Sequence, residues 1–108
     1  MNFNVVILPD FKRDAKKLLK KYPSLSGEIS DLVFDLETHP TQGTPLGNNC
    51  YKIRLAIASK GKGKSGGARV ITCVKVIATT VYLLTIYDKS EKAGITIKEL
   101  QQIMKSVF

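Results

Sequence analysis

A chain of 108 residues, 44% of them hydrophobic and 24% charged, can bury one modest core, which excludes a multidomain protein and an intrinsically disordered one. Its net charge of +8 points to nucleic acid, an anionic membrane surface or an acidic protein as partner. Two cysteines, Cys50 and Cys73, are too few for a disulfide framework and read as small core residues in a reducing cytoplasm.

The pattern predicts a single domain over 1–108, with no secretory signal at its start. Phe3 to Leu8 is a β-branched run and predicts a strand. Asp10 is a candidate N-cap. Phe11, Ala15, Leu18, Leu19 and Tyr22 then recur at helical spacing, opposite a face of six lysines and arginines between Lys12 and Lys21. Pro23 stops this helix, and Ser24 is placed to cap a second one carrying Leu25, Ile29, Leu32 and Leu36. The pair reads as a helical hairpin, one arm basic and the other acidic.

Residues 39–49 are rich in Pro, Gly, Asn and Thr and predict a loop. From Cys50 the chain alternates: Tyr51, Ile53, Leu55 and Ile57 on one face, Lys52 and Arg54 on the other. A glycine-lysine loop follows, with Lys60, Lys62 and Lys64 between glycines, and Arg69 opens the next strand, which runs to about Ala78. No carboxylate falls between Cys50 and Thr72, so this strand, loop and strand form a cationic face suited to a polyanion. Thr79-Thr80 marks a turn before a strand from Val81 to Tyr87. The run from Val70 to Tyr87 is broken by Lys75 and that threonine pair, so it reads as two strands and not as a membrane span. Thr96 with Glu99 is a capping box, opening a last helix with Ile97, Leu100, Met104 and Val107 on one face. The predicted fold is α+β, in the order β-α-α-β-β-β-α, with an antiparallel sheet.

Gly63-Lys64-Ser65 echoes the end of a phosphate-binding loop, but the motif's first glycine would fall on Ala58, and the residues after Ser65 read as strand where the motif needs a helix. The cysteines have no metal-ligand spacing, and one loop histidine, His39, supplies no nucleophile–base set. No metal and no cofactor is expected. Arg, Lys and Tyr suffice for one substrate. RNA carries its own nucleophile, the 2′-OH, beside its own electrophile, the phosphate; cleavage needs in-line geometry, charge stabilisation and proton transfer.

Cys50-Tyr-Lys-Ile-Arg-Leu, then Gly-Gly-Ala-Arg69-Val-Ile, then Val81-Tyr-Leu-Leu-Thr-Ile-Tyr-Asp-Lys89 resembles the RelE/HigB family of bacterial toxins, in its HigB-like branch. The resemblance implies a RelE/ParE-like fold and a toxin that enters the ribosomal A site, cuts mRNA there without metal, and is blocked by a cognate antitoxin. It implies catalytic roles for Lys52, Arg54, Arg69 and Tyr87. Lys60, Lys62, Lys64 and Lys89 are expected to bind RNA or ribosome, the loop lysines from poorly fixed positions. Ser90 stands where some members have an arginine, and no aromatic follows until Phe108. Two other readings share the basic face: a ParE-like gyrase inhibitor, and an RNA-binding module without chemistry.

Overall fold

The computed structural model describes residues 2–61 and 63–108. Its elements follow as β1 (Asn4–Ile7), α1 (Pro9–Lys21), α2 (Leu25–Leu36), β2 (Thr44–Gly47), β3 (Cys50–Leu55), β4 (Ala68–Lys75), β5 (Thr80–Asp88) and α3 (Ile97–Val107). The strands form one sheet in the order β1-β5-β4-β3-β2. The α+β class and the helical hairpin stand as the sequence predicts. None of the described helices is long and apolar enough to cross a membrane.

Two features of the sheet differ from expectation. First, β1 lies parallel to β5, so the sheet is mixed and not wholly antiparallel. Parallel neighbours need a long crossover, and here the helical hairpin and three strands separate the two in sequence. Second, the predicted 39–49 loop contains β2, which pairs antiparallel with the start of β3. Thr-Pro-Leu-Gly has no strand signature, and its proline is tolerated because β2 is an edge strand. Asn48 and Asn49, both at positive φ (54° and 62°), make the tight turn into β3.

Helix α1 buries Phe11, Ala15 and Leu18 and turns its lysines to solvent. Leu8 occupies its cap position and Pro9 its first turn, so Asp10 is not the cap; it pairs with exposed Arg13 at 3.3 Å. Proline with its fixed φ can open a helix without a side-chain cap. Ser24 does not cap α2 either, because its own backbone is already helical (φ −62°, ψ −19°). The capping box of α3 is present: Glu99 N–H donates to Thr96 Oγ1 at 3.0 Å, and Thr96 N–H to Glu99 Oε1 at 3.1 Å. Leu100 is the buried residue of α3, flanked by Ile103 and Met104, while Ile97 stays exposed.

The sheet therefore has two clothed faces. The helical hairpin covers one, burying Phe11, Leu25 and Leu36 against Ile53, Val70 and Leu83. Helix α3 covers part of the other, over Cys50, Ile71, Cys73, Leu84 and Tyr87. Lys52, Arg54 and Arg69 belong to this second face.

Candidate functional site

Strands β3 and β4 pair without a break, from Cys50 opposite Cys73 to Leu55 opposite Ala68, and Arg54 faces Arg69. On the other side of β4, Arg69 faces Tyr87. Residues opposed in this way share a face, so Arg54, Arg69 and Tyr87 form one row across three strands. Lys52, opposite Ile71, shares the face one step along. Val74 N–H donates to the Asn49 carbonyl at 2.9 Å, which makes Cys50/Cys73 a non-hydrogen-bonded pair. By alternation Arg54/Arg69 is one too, the class in which side chains lie closest. Two like charges so placed oppose folding and favour an anion between or above them.

The three side chains differ in exposure. Arg54 is exposed and Lys52 half-buried. Arg69 is only 4% exposed. Its guanidinium donates to the carbonyls of Ala68 (3.1 Å) and Ser65 (3.3 Å), tying the glycine-lysine loop to β4. Tyr87 is 8% exposed, and its hydroxyl has no hydrogen-bond partner among the described residues. Burial pushes the Tyr87 phenol above its usual range, against the pull of Arg69 and Lys92, so it stays protonated at neutral pH. The Lys92 ammonium sits 5.7 Å from the Tyr87 ring and is paired with Glu99 on α3.

The loop lysines do not act alike. Glycine neighbours predict a loosely held Lys60; instead its ammonium donates to Asp88 Oδ1 at 2.6 Å and to Ser90 Oγ at 3.0 Å. Its side chain is 12% exposed and that of Asp88 is wholly buried. The loop begins with a 3₁₀ turn, Ala58–Lys60, closed by Gly61 at φ +66°, and this turn aims Lys60 back at the end of β5. Lys62 lies outside the described residues. Lys64 opens a second 3₁₀ turn, Lys64–Gly66. Lys89 is exposed in the turn after β5, its N–H donating to Gly67 O at 3.1 Å. Gly67 has to be glycine: a Cβ there would meet the Leu55 carbonyl oxygen at 1.9 Å.

Some contributors carry no signal in the sequence. A polar recess of about 400 Å³ is lined by Tyr22, Lys60, Ser65, Gly66, Lys89 and Ser90. Tyr22 comes from the far end of α1, its ring 5.1 Å from the Lys60 ammonium. Lys92 is equally silent, because nothing local in the sequence brings it to Tyr87. On the hairpin side, an apolar groove of about 580 Å³ runs over Phe11, Ala15, Leu19 and Ile29, edged by Lys12, Lys16 and Lys20.

The sequence profile described as the RelE toxin of the RelE / RelB toxin–antitoxin system matches residues 11–107. Among solved structures, the fold is similar to that of a doubly substituted mutant of the E. coli toxin RelE in the free state, with a TM-score of 0.64 over 100% of both chains at 14% sequence identity. That identity speaks for the fold; the profile match, which spans almost the whole chain, speaks for the family. The chain belongs to the RelE family of toxins of toxin–antitoxin systems.

Proposed function

We propose that this protein is a ribosome-dependent endoribonuclease of the cytoplasm, which stops translation by cutting mRNA in the ribosomal A site without metal or cofactor. The observation that carries this reading is the single row of Arg54, Arg69 and Tyr87 on one sheet face of a RelE-family chain. The 2′-OH attacks the adjacent phosphate and gives up its proton to solvent water, the bond to the 5′ oxygen breaks, and the products are a 2′,3′-cyclic phosphate and a 5′-OH. Exposed Arg54, with Lys52 beside it, takes the phosphate. Arg69 adds its charge from the buried side of the row and holds the loop in place. Tyr87 is buried in the free protein and has to be uncovered on binding; its protonated hydroxyl is then suited to donate to the departing 5′ oxygen, and its ring to position the base. Lys64 and Lys89, with Lys62, supply affinity for ribosomal RNA. Lys60 acts indirectly, as the clamp between loop and strand.

A cognate antitoxin completes the system. The lysine-edged groove between α1 and α2 fits an amphipathic segment with apolar and acidic faces, as such a partner would present.

Brief induction in bacteria, followed by mapping of 5′ ends on a translated message, tests the reading. Cuts within codons on ribosome-bound mRNA, unaffected by chelation while ribosomes stay assembled, are expected. Intact mRNA with gyrase-dependent DNA damage would replace it by the ParE-like reading. Ribosome binding without cleavage would leave only a binding module.

A further inference from the structure

The face that carries the arginine row has a second feature at its other end, and the proposed activity does not use it. Cys50 opens β3 and Cys73 stands directly opposite on β4. Both are free thiols, each 1% exposed. The Val74–Asn49 backbone bond identifies them as a non-hydrogen-bonded pair, so their Cα atoms are about 4.5 Å apart and their side chains project to the same side. That separation lies inside the span a disulfide bridges, roughly 4.4–6.8 Å. Their surroundings are soft and apolar. The Cys50 thiol lies 3.4 Å from Met104 Sδ on α3 and 3.6 Å from the Asn48 carbonyl, and Cys73 Sγ is 4.0 Å from the same carbonyl. Ile71, Leu84 and Leu100 complete the pocket.

We propose that Cys50 and Cys73 form a reversible cross-strand disulfide when the protein meets a two-electron oxidant such as hydrogen peroxide. A hydrogen bond from Cys50 draws the Cys73 thiol below its usual range, so it is the first to react. Its thiolate attacks peroxide, one oxygen is transferred to give a sulfenic acid, and the other oxygen leaves as water after taking up a proton. The Cys50 thiol, pushed up by the same bond and by burial, attacks that sulfur and a second water leaves. The balance is two thiols and one peroxide to one disulfide and two waters. The bridge draws Cys50 Sγ toward Cys73 and away from Met104, the sulfur contact that fastens α3 here. It therefore staples β3 to β4 and loosens one hold on α3. Nothing in this step depends on RNA cleavage, so it stands or falls apart from the proposed function.

The test uses the purified, reduced full chain, exposed to peroxide or diamide, then unfolded and treated with maleimide. Intact mass should fall by two hydrogens and no maleimide should be taken up, no disulfide-linked dimer should form, and thiol reductant should restore two reactive cysteines. The midpoint of unfolding should rise by about 15 °C on oxidation, the loop-closure effect of a bridge of this span. In Cys50→Ser, the hydroxyl keeps a donor beside Cys73 while the resolving thiol is gone, and a sulfenic acid at Cys73 should be trapped by dimedone. Two maleimides on the oxidant-treated wild type, sulfinic acid in place of a bridge, or disulfide-linked dimers would each overturn the proposal. Because these readings are made on the wild-type chain, they do not depend on any variant folding.

Discussion

Arg69 faces Tyr87 because β5 carries one more residue than β4 between them. The hairpin starts regularly, with Lys75 opposite Thr80 and Thr72 opposite Leu83, around the turn Val76 to Thr79. Continued without a break, that ladder would set Arg69 against Ile86 and turn Tyr87 to the other face. The register instead shifts between Ile71 and Thr72, so Ile71 meets Thr85 and Arg69 meets Tyr87. Leu84 is the bulged residue, and it is wholly buried under α3. A bulge re-aims the side chains beyond it, here bringing the phenol to the arginine row.

Tyr87→Phe separates chemistry from packing. The hydroxyl has no partner among the described residues, so its removal leaves no orphaned group behind. The midpoint of thermal unfolding should stay the same or rise. If the hydroxyl donates a proton, cleavage at saturating toxin should fall about a hundredfold. Unchanged cleavage would confine Tyr87 to positioning the base through its ring.

The two arginines of the row should behave differently. Arg54 is exposed and opposes Arg69, so Arg54→Ala should leave thermal stability unchanged or slightly raised while mRNA cleavage falls about 10²–10³-fold, as on losing one charge-stabilising donor. Arg69 holds two backbone carbonyls from a buried position. Arg69→Ala should cost a similar factor in cleavage and also about 1–3 kcal/mol of stability. Arg69→Lys should recover little of either, because one ammonium does not reproduce the planar fork. Equal stability losses for both alanine variants would contradict this division.

The periodicities that predict the fold are those of amphipathic elements: Phe11, Ala15 and Leu18 on α1, and Ile53, Leu55 and Ile57 against Lys52 and Arg54 on β3. Burial enforces such patterns, so they are legible. Thr44-Pro45-Leu46-Gly47 is not, since an edge strand held by backbone pairing needs no apolar alternation. The arginine row is not legible from alternation, which leaves the parity of the β4–β5 offset open; only the family's chemistry asks that Arg69 and Tyr87 share a face. Where that offset falls is decided by how Leu84 packs under α3, a tertiary matter. The role of Lys60 is hidden for the same reason. Among glycines it reads as a solvated loop cation, and only the fold brings Asp88 to it.

The lysines should divide by salt dependence. Lys89 is exposed, so Lys89→Ala should weaken ribosome binding and reduce the slope of log affinity against log salt by about one unit for each phosphate it neutralises, with thermal stability unchanged. Lys60→Ala should do the reverse, leaving the salt slope in place and costing about 2 kcal/mol of stability. That figure lies below the 3–5 kcal/mol for breaking a fully buried pair, because Lys60 keeps some contact with water. Titration of toxin–ribosome affinity at several salt concentrations, beside thermal melts, checks both.

The Lys60–Asp88 clamp also fixes a pH window. Burial raises the Asp88 carboxyl, but the ammonium of Lys60 and the backbone and hydroxyl of Ser90 together outweigh it and leave it below its ordinary 3.8. A depressed carboxylate contributes stability above its unfolded value, and that contribution is lost as pH falls through the folded one. Lys60 is raised above 10.5, chiefly by its hydrogen bond to Asp88, so its share is full below 10.5 and lost as pH rises through the higher folded value. Stability from the clamp should be level between about pH 5 and pH 10 and decline outside those limits. Asp88→Asn keeps the shape and removes the charge. It should lower the plateau and flatten the acid limb of a melting-temperature profile against pH, relative to wild type. An acid limb of unchanged steepness in the variant would place the acid sensitivity in other carboxylates.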